Sequence, residues 1–369
     1  MTGRPKIAIL APKGASVSLK GFSSTVTIVE YTGAPWSPEP DPCTLDLPGI
    51  IIAPPSYKPR SDCKSRVVTS FPSLHAVRDA LDALGADGIL RDPDAALYNT
   101  TAVLALSYRE LKHSLIGSGT IPSRPPPVMI AADYYPGDVN GALRLYAEGA
   151  DIVVVSASRR GWRSIVEKLV AAGVPTGVDA GLDTSVALEA ADMGAMLVMS
   201  LTPETLKAIP ARLRGRPWWV LIPSRLDPDP GERARMLSSA ASEASRLGYK
   251  RLILDPVAQP LVEPGFLTPL YAARLLADTP HPVMLGLNNV YEMADADTTG
   301  SIPVLVSLAF EAGASMVLAS EESTKARGAV LEAAAASLMV YLANRWRTTI
   351  KDLGVRLLLA KEKRNPEPL

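Results

Sequence analysis

The chain has 369 residues with 38 basic and 38 acidic side chains, a formal net charge of zero, and is 47% hydrophobic and 21% charged. That composition describes a globular protein and excludes the disordered and fibrous classes. Without an excess of Lys and Arg, neither nucleic acid nor an anionic membrane is expected as the main partner.

From the N-terminus, residues 1–117 predict a small α/β domain, with strands at Lys6–Leu10, Thr25–Val29, Ile50–Ile52 and Arg66–Val68. Pro72–Leu84 reads as a helix, and GADGILRDP as a further strand and turn. The apolar run in MTGRPKIAILAPKG is too short for a signal peptide, and no stretch reaches the roughly 18–20 apolar residues of a bilayer span, so a cytoplasmic location is expected. The only cysteines, Cys43 and Cys63, show no C-x-x-C spacing and read as two unrelated thiols in a reducing compartment, with a disulfide between them as the alternative. Residues 118–127, SGTIPSRPPP, predict a stiff linker.

Residues 128–369 predict a (β/α)8 TIM barrel with a C-terminal helical extension. Its strands are Val128–Ala132, Asp151–Val155, Pro175–Asp179, Ala195–Met199, Pro217–Ile222, Arg251–Leu254, Pro282–Gly286 and Ser315–Ala319. Each is a short, nearly continuous apolar run, as parallel strands covered on both faces require. Helical spacing fills the gaps, as in Gly231–Gly248 and in Ser301–Gly313, where Ser301 is the expected N-cap. Five strands follow a helix-ending glycine, in EGAD, AAGVP, DMGAM, RLGYK and EAGAS. An open doubly wound sheet is the alternative, but AADYYPGDVNG is not a Gly-rich phosphate turn.

A barrel of this kind places its site on the loops after the strands. Those loops offer Asp133; Ser156, Ser158 and Arg159; Asp179 and Asp183; Ser200 and Thr202; Ser224 and Arg225; and Asp255. The seventh adds Asn288, Asn289, Glu292, Asp295 and Asp297, and the eighth Glu321, Lys325 and Arg327. The three histidines, His75, His113 and His281, lie off this face, which excludes a zinc site and a Ser–His–Asp relay. An all-carboxylate Mg²⁺ site stays open. The chain has 33 prolines, six Asn and the single Gln259, a pattern of heat-loving proteins, and yet it sets Asn288 and Asn289 side by side. Carboxylates and amides together suit a 2-amino-4-oxo-pyrimidine ring, as in pterins or guanine. Bland readings stand beside this: Asp179, Asp183 and Asp255 as helix N-caps, Asp295 and Asp297 as cap or loop residues, Lys325 and Arg327 as solvated cations. No side chain in these loops is an evident general acid or base of displaced pKa.

The segment LGLNNVYEMADADTTGSIPVLVSLAFEAGASMVLASEESTKARGA resembles archaeal dihydropteroate synthase-related proteins, which read close to G-x-S-N-V-T-E-x-x-D-A-D-S-x-G with a later E-x-S-x-K-x-R-G. PTGVDAGLDTSVALEAADMGA and RLILDPV resemble the third and sixth strands of the wider pterin-binding barrel superfamily of dihydropteroate synthases and methyltetrahydrofolate-dependent methyltransferases. The resemblance covers about two-thirds of the chain. It implies Asp179 and Asp255 as pterin-ring carboxylates, with Asp133 beside them and Asn289 near the N5 edge. Departures are plain: AADYYPGD stands for N-x-T-P-D-S-F, LGLNNV for G-x-S-R-K, and SEESTKARG for an R-x-H-like anion element. Lys325 and Arg327 are the cations available to replace the missing anion-binding groups.

The resemblance implies a pterin-binding transferase of folate or tetrahydromethanopterin biosynthesis or of one-carbon metabolism, with a reduced pterin as ligand. In the methyl-transfer version Asn289 steadies a protonated N5 and a corrinoid protein docks over the mouth. A non-catalytic pterin-binding subunit and a phosphate-binding barrel enzyme are the other readings, and a homodimer is open. In the last, Glu321 and Glu322 would repel the phosphate.

Overall fold

The computed structural model describes residues 7–13, 26–34, 37–45, 50–53, 57–58, 60, 66–68, 75–77, 79–80, 93–135, 137–355 and 357. The chain divides into two compact units, Met1–Ser107 with Leu342–Arg356, and Tyr108–Tyr341 with Leu357–Leu369.

In the first unit, β1 (Ile7–Pro12), β2 (Val26–Ala34), β3 (Ser37–Glu39), β4 (Ile50–Ile52) and β5 (Arg66–Val68) form a sheet of order β3-β2-β1-β4-β5. Its pairs are parallel except the short β2–β3 edge. All four strands expected from the sequence are present. Of the helix expected at Pro72–Leu84, residues 75–77 and 79–80 are helical, and the rest lies outside the described residues, as does most of GADGILRDP. Asp79, buried, accepts from Trp346 Nε1 at 2.5 Å and Arg345 Nε at 2.8 Å, which ties the C-terminal stretch of the unit to this helical segment. Cys43 is disulfide-bonded, which corrects the reading of two unrelated thiols.

The second unit is the barrel. Its strands are β6 (Met129–Tyr134), β7 (Ile152–Ser156), β8 (Thr176–Asp179), β9 (Leu197–Leu201), β10 (Trp218–Leu221), β11 (Leu252–Leu254), β12 (Met284–Gly286) and β13 (Met316–Ser320). They pair in parallel in the order β11-β10-β9-β8-β7-β6-β13-β12, and a bridge from Leu254 to Val283 closes the ring. All eight strands expected from the sequence form, each within a few residues of its expected bounds, and the open-sheet alternative is excluded. Alternate strand residues, among them Met129, Ala131, Val154, Leu197, Val220, Ile253, Met284 and Met316, fill the interior as one cluster.

The layer of helices outside is α2 (Val139–Ala147), α3 (Trp162–Ala171), α4 (Thr184–Asp192), α5 (Pro230–Arg246), α6 (Leu267–Leu276), α8 (Thr298–Glu311) and α9 (Ala329–Trp346), with a single turn α7 (Asn288–Tyr291) after β12. The five helix-ending glycines, Gly149, Gly173, Gly194, Gly248 and Gly313, all have positive φ. Ser301 is not the N-cap expected of it. Helix α8 begins three residues earlier, with Asp297 in the N-cap position and Ser301 in its first turn.

Helix α1 (Pro93–Gly117) was not expected. Its C-terminal part and residues 118–127 close the amino-terminal end of the barrel. Ile116 and Ile121 join the interior cluster, the carbonyl of Gly119 accepts from Trp218 Nε1 at 3.0 Å, and that of Pro122 accepts from Ser315 Oγ at 2.5 Å. Lys112 forms a buried pair with Asp151 at 2.6 Å, and the same Asp151 oxygen accepts from the N–H of Ile130 at 2.7 Å. Truncating one partner of such a pair strands a charge and costs about 3–5 kcal/mol. The other end, at the carboxyl ends of the strands, carries Asp133, Asp179 and Asp255. No helix among the described residues is long and apolar enough to cross a membrane.

Candidate functional site at the carboxyl ends of the strands

Parallel register brings the polar strand ends to one level. Asp133, at the end of β6, lies opposite Ser320 of β13, and Asp179, at the end of β8, lies opposite Ser156 of β7. Asp255 follows β11, and Asn288 and Asn289 open the turn after β12.

Neither Asp179 nor Asp255 caps a helix, so the bland reading fails for both. Asp179 accepts from the N–H of Gly181 at 2.9 Å, and Asp255 from that of Val257 at 2.7 Å. Asp183 is the cap of α4, accepting from Ser185 and Val186. Burial raises the carboxyl of Asp179, opposed by the Gly181 N–H. Asp255 is 6% exposed, and burial pushes its carboxyl up to about 7 against the opposing Val257 N–H. Asp133 is 5% exposed and is also pushed up to about 7, first by burial and then by the negative charges of Asp179 and Glu322, while a hydrogen bond with Tyr135 opposes the shift. The expectation that no general acid or base of displaced pKa occurs here is therefore corrected. Two carboxyls poised near neutrality can each hold or release a proton in the working range.

A folded chain leaves few buried polar atoms unbonded, and each one asks for a reason. Seven such side-chain atoms occur among the described residues, and three of them lie at the carboxyl ends of the adjacent strands β6, β12 and β13: Asp133 Oδ1 within β6, and Asn288 Oδ1 and Ser323 Oγ in the loops after β12 and β13. A ligand seated over these three strands would supply the missing partners.

The other predicted residues fall into three groups. Asn289 donates its amide to the carbonyl of Ala258 at 3.1 Å, bracing the loop after β11. Glu292 accepts from the N–H groups of Glu322 and Ser323, Glu321 pairs with Arg144 at 2.7 Å, and the Lys325 ammonium donates to the carbonyl of Ala294, so these three hold loops together. Asp295, Asp297 and Arg327 are exposed, Asp297 at the start of α8 and Arg327 at the C-cap of the turn Thr324–Ala326. Among the described residues no three His, Cys, Asp or Glu side chains are arranged to hold a metal ion.

The sequence reading passed over three residues. Tyr135 follows the first strand directly, and its place in AADYYPGD is the only signal for it. Tyr291, buried, exchanges two hydrogen bonds of 2.6 Å with the backbone of Ser320 and so locks the loops after β12 and β13 together. Arg233, 1% exposed on α5, donates to the carbonyls of Pro256 and Leu226 and to Gln259 Oε1. A charged residue in the body of a helix reads as solvated, so no sequence signal marked it.

No family model matches the chain. An uncharacterised protein of Methanocaldococcus jannaschii is 28% identical over 204 residues, 53% of this chain and 39% of that protein, so the chain spans well under half the length of this relative. Similar solved structures are dihydropteroate synthases. That of Thermus thermophilus in complex with 4-aminobenzoate is 24% identical, with 55% of this chain and 91% of that chain covered and a TM-score of 0.42. That of Yersinia pestis is 18% identical, with 59% and 93% covered and a TM-score of 0.45.

Proposed function

We propose that the mouth of the barrel binds a reduced pterin and that the protein is a transferase acting on it. The observation that carries the reading is Asp255, a carboxylate 6% exposed at the end of a barrel strand, whose single hydrogen bond among the described residues is the one from Val257. Buried carboxylates need donors. A 2-amino-4-oxo-pyrimidine edge offers two side by side, its amino group and ring N–H. Asp179, across the mouth at the end of β8, supplies a second acceptor of the same kind. The motif resemblance of the third, sixth and seventh strands points to the same ring.

The carboxyls of Asp133 and Asp255, raised to about 7 chiefly by burial, are the groups that would exchange a proton in a catalytic version of the site. Methyl transfer from a methylated pterin is the second version, and the geometry of Asn289 favours it. With its amide N–H₂ turned to Ala258, its carbonyl oxygen is the acceptor left for a protonated ring nitrogen. A corrinoid protein over the mouth would take the methyl group in that version. The wider setting in either version is folate or tetrahydromethanopterin chemistry.

Calorimetric titration of the full chain with dihydropterin and methyl-tetrahydropterin tests the reading. Binding by the wild type, and its loss in a folded Asp255→Ala variant, is the expected result. Absence of binding by the wild type, or full affinity in the variant, would sink it.

A further inference from the structure

Barrels that hold phosphate present backbone N–H groups and cations to it from the loops after strands seven and eight. Here the N–H groups of Glu322 and Ser323 and the ammonium of Lys325 are already engaged within the chain, and Arg327 is exposed at the end of the turn Thr324–Ala326. The N–H groups of Glu322 and Ser323 both point to Glu292 Oε1, at 3.2 and 3.3 Å, and the hydroxyl of Ser320 lies 3.5 Å from the same oxygen. Arg144 is held between Glu148 and Glu321, each at 2.7 Å, and the Lys325 ammonium is turned to the carbonyl of Ala294.

What this side of the mouth presents instead is negative. The charges acting on Asp133 are those of Asp179 and Glu322. Its Oδ1, on a residue 5% exposed, is buried with no hydrogen-bond partner, and Asn288 Oδ1 in the neighbouring loop is in the same state. With Asp133 ionised both of these oxygens are acceptors, so the partner they lack is a donor, and the third orphan, the Ser323 hydroxyl, can either donate or accept. A donor among three carboxylates is most stable when it carries positive charge.

We propose that the side of the mouth formed by the loops after β6, β8 and β13 receives a positively charged hydrogen-bond donor of the substrate, an alkylammonium or amidinium-like group bonded to Asp133 Oδ1, and that it rejects phosphate. The proposal rests on the pterin reading for the body of the ligand and names the substituent that the ring carries. It separates the ligand of this chain from a pterin activated as a pyrophosphate ester.

The test uses three reduced pterins that differ only at the exocyclic carbon, aminomethyl, hydroxymethyl and hydroxymethyl pyrophosphate, together with inorganic pyrophosphate alone. All are titrated calorimetrically into the full chain at pH 8. The aminomethyl compound is expected to bind at least about tenfold more tightly than the alcohol. The ester is expected to bind more weakly than the alcohol, and inorganic pyrophosphate not at all at millimolar concentration. Glu322→Gln should shrink the amine's advantage over the alcohol about threefold. An ester that binds more tightly than the alcohol, binding of inorganic pyrophosphate, equal affinity for amine and alcohol, or an advantage indifferent to Glu322→Gln each overturns the inference and leaves the pterin reading standing. Failure of all three pterins overturns the pterin reading and this inference with it.

Discussion

The N–H of Val257 donates to Asp255 Oδ1 at 2.7 Å, and in making that bond Val257 sits in the left-handed region at φ 61°. A β-branched residue there is an outlier, because its Cβ crowds the following carbonyl. Such positions persist when their surroundings hold them, and they gather at functional sites. The turn fixes one oxygen of Asp255 and leaves the other for a ligand.

Replacing Val257 by Gly removes the crowding without touching the N–H that Asp255 accepts. The variant is expected to gain about 1 kcal/mol in unfolding free energy, measured by urea denaturation, with pterin affinity unchanged within about twofold. A loss of stability would show that packing of the half-buried valine outweighs its backbone strain.

Proton linkage gives a second expectation. The Asp255 carboxyl, ordinarily at about 3.8, is raised by burial to about 7 in the fold. The native state therefore holds this proton more tightly than the unfolded chain does. The stability it contributes is complete below about 3.8, declines as pH rises, and is gone above about 7. Asp255→Asn, which cannot ionise, should flatten that decline, so that variant and wild type diverge by at most about 4 kcal/mol across the window. Urea midpoints at four pH values between 4.5 and 7.5 would show it, and parallel curves would mean that Asp255 ionises as an ordinary carboxylate. A ligand that donates to the ionised carboxylate should, by the same linkage, bind more tightly at pH 8 than at pH 6.

The barrel was legible because its signals are local. Apolar runs such as Ile152–Ser156 and glycines such as Gly313 act through backbone sterics and burial on both faces, which short windows record. Asp133, Asp179 and Asp255 were legible as candidates because strand ends place them at the mouth whatever the details. Their displaced pKa values were not, since these depend on burial and on neighbours such as Glu322 that lie nearly two hundred residues away in sequence. Helix α1 was missed for a related reason. Its buried stripe holds Thr101, Tyr108 and Lys112 while Val103, Leu106 and Leu111 are exposed, so no apolar stripe announces it. The start of α8 slipped because Ser301 has the residue type of a cap while the chain had already turned at Asp297.

Arg233 supplies the last expectation, because it braces the loop that carries Asp255 without reaching the mouth itself. Its guanidinium donates to the carbonyl of Pro256 and to Gln259 Oε1, each at 3.1 Å, and to the carbonyl of Leu226, so one planar fork joins the loops after β10 and β11. Its Nε is buried without a partner, and burial lowers its pKa. The side chain is thus costly to bury, and removing it also relieves that cost. Arg233→Met should therefore change global stability by no more than about 2 kcal/mol. Pterin affinity should fall about tenfold as the loop loses its geometry, and Arg233→Lys should not restore it, because an ammonium cannot reproduce the fork. Hydrogen exchange separates this positioning role from general support: the N–H of Val257 should lose protection in Arg233→Met while those of β10 and β11 keep theirs. Wild-type affinity with an unchanged exchange pattern would mean that the Asp255–Val257 and Asn289–Ala258 bonds hold the loop without the arginine.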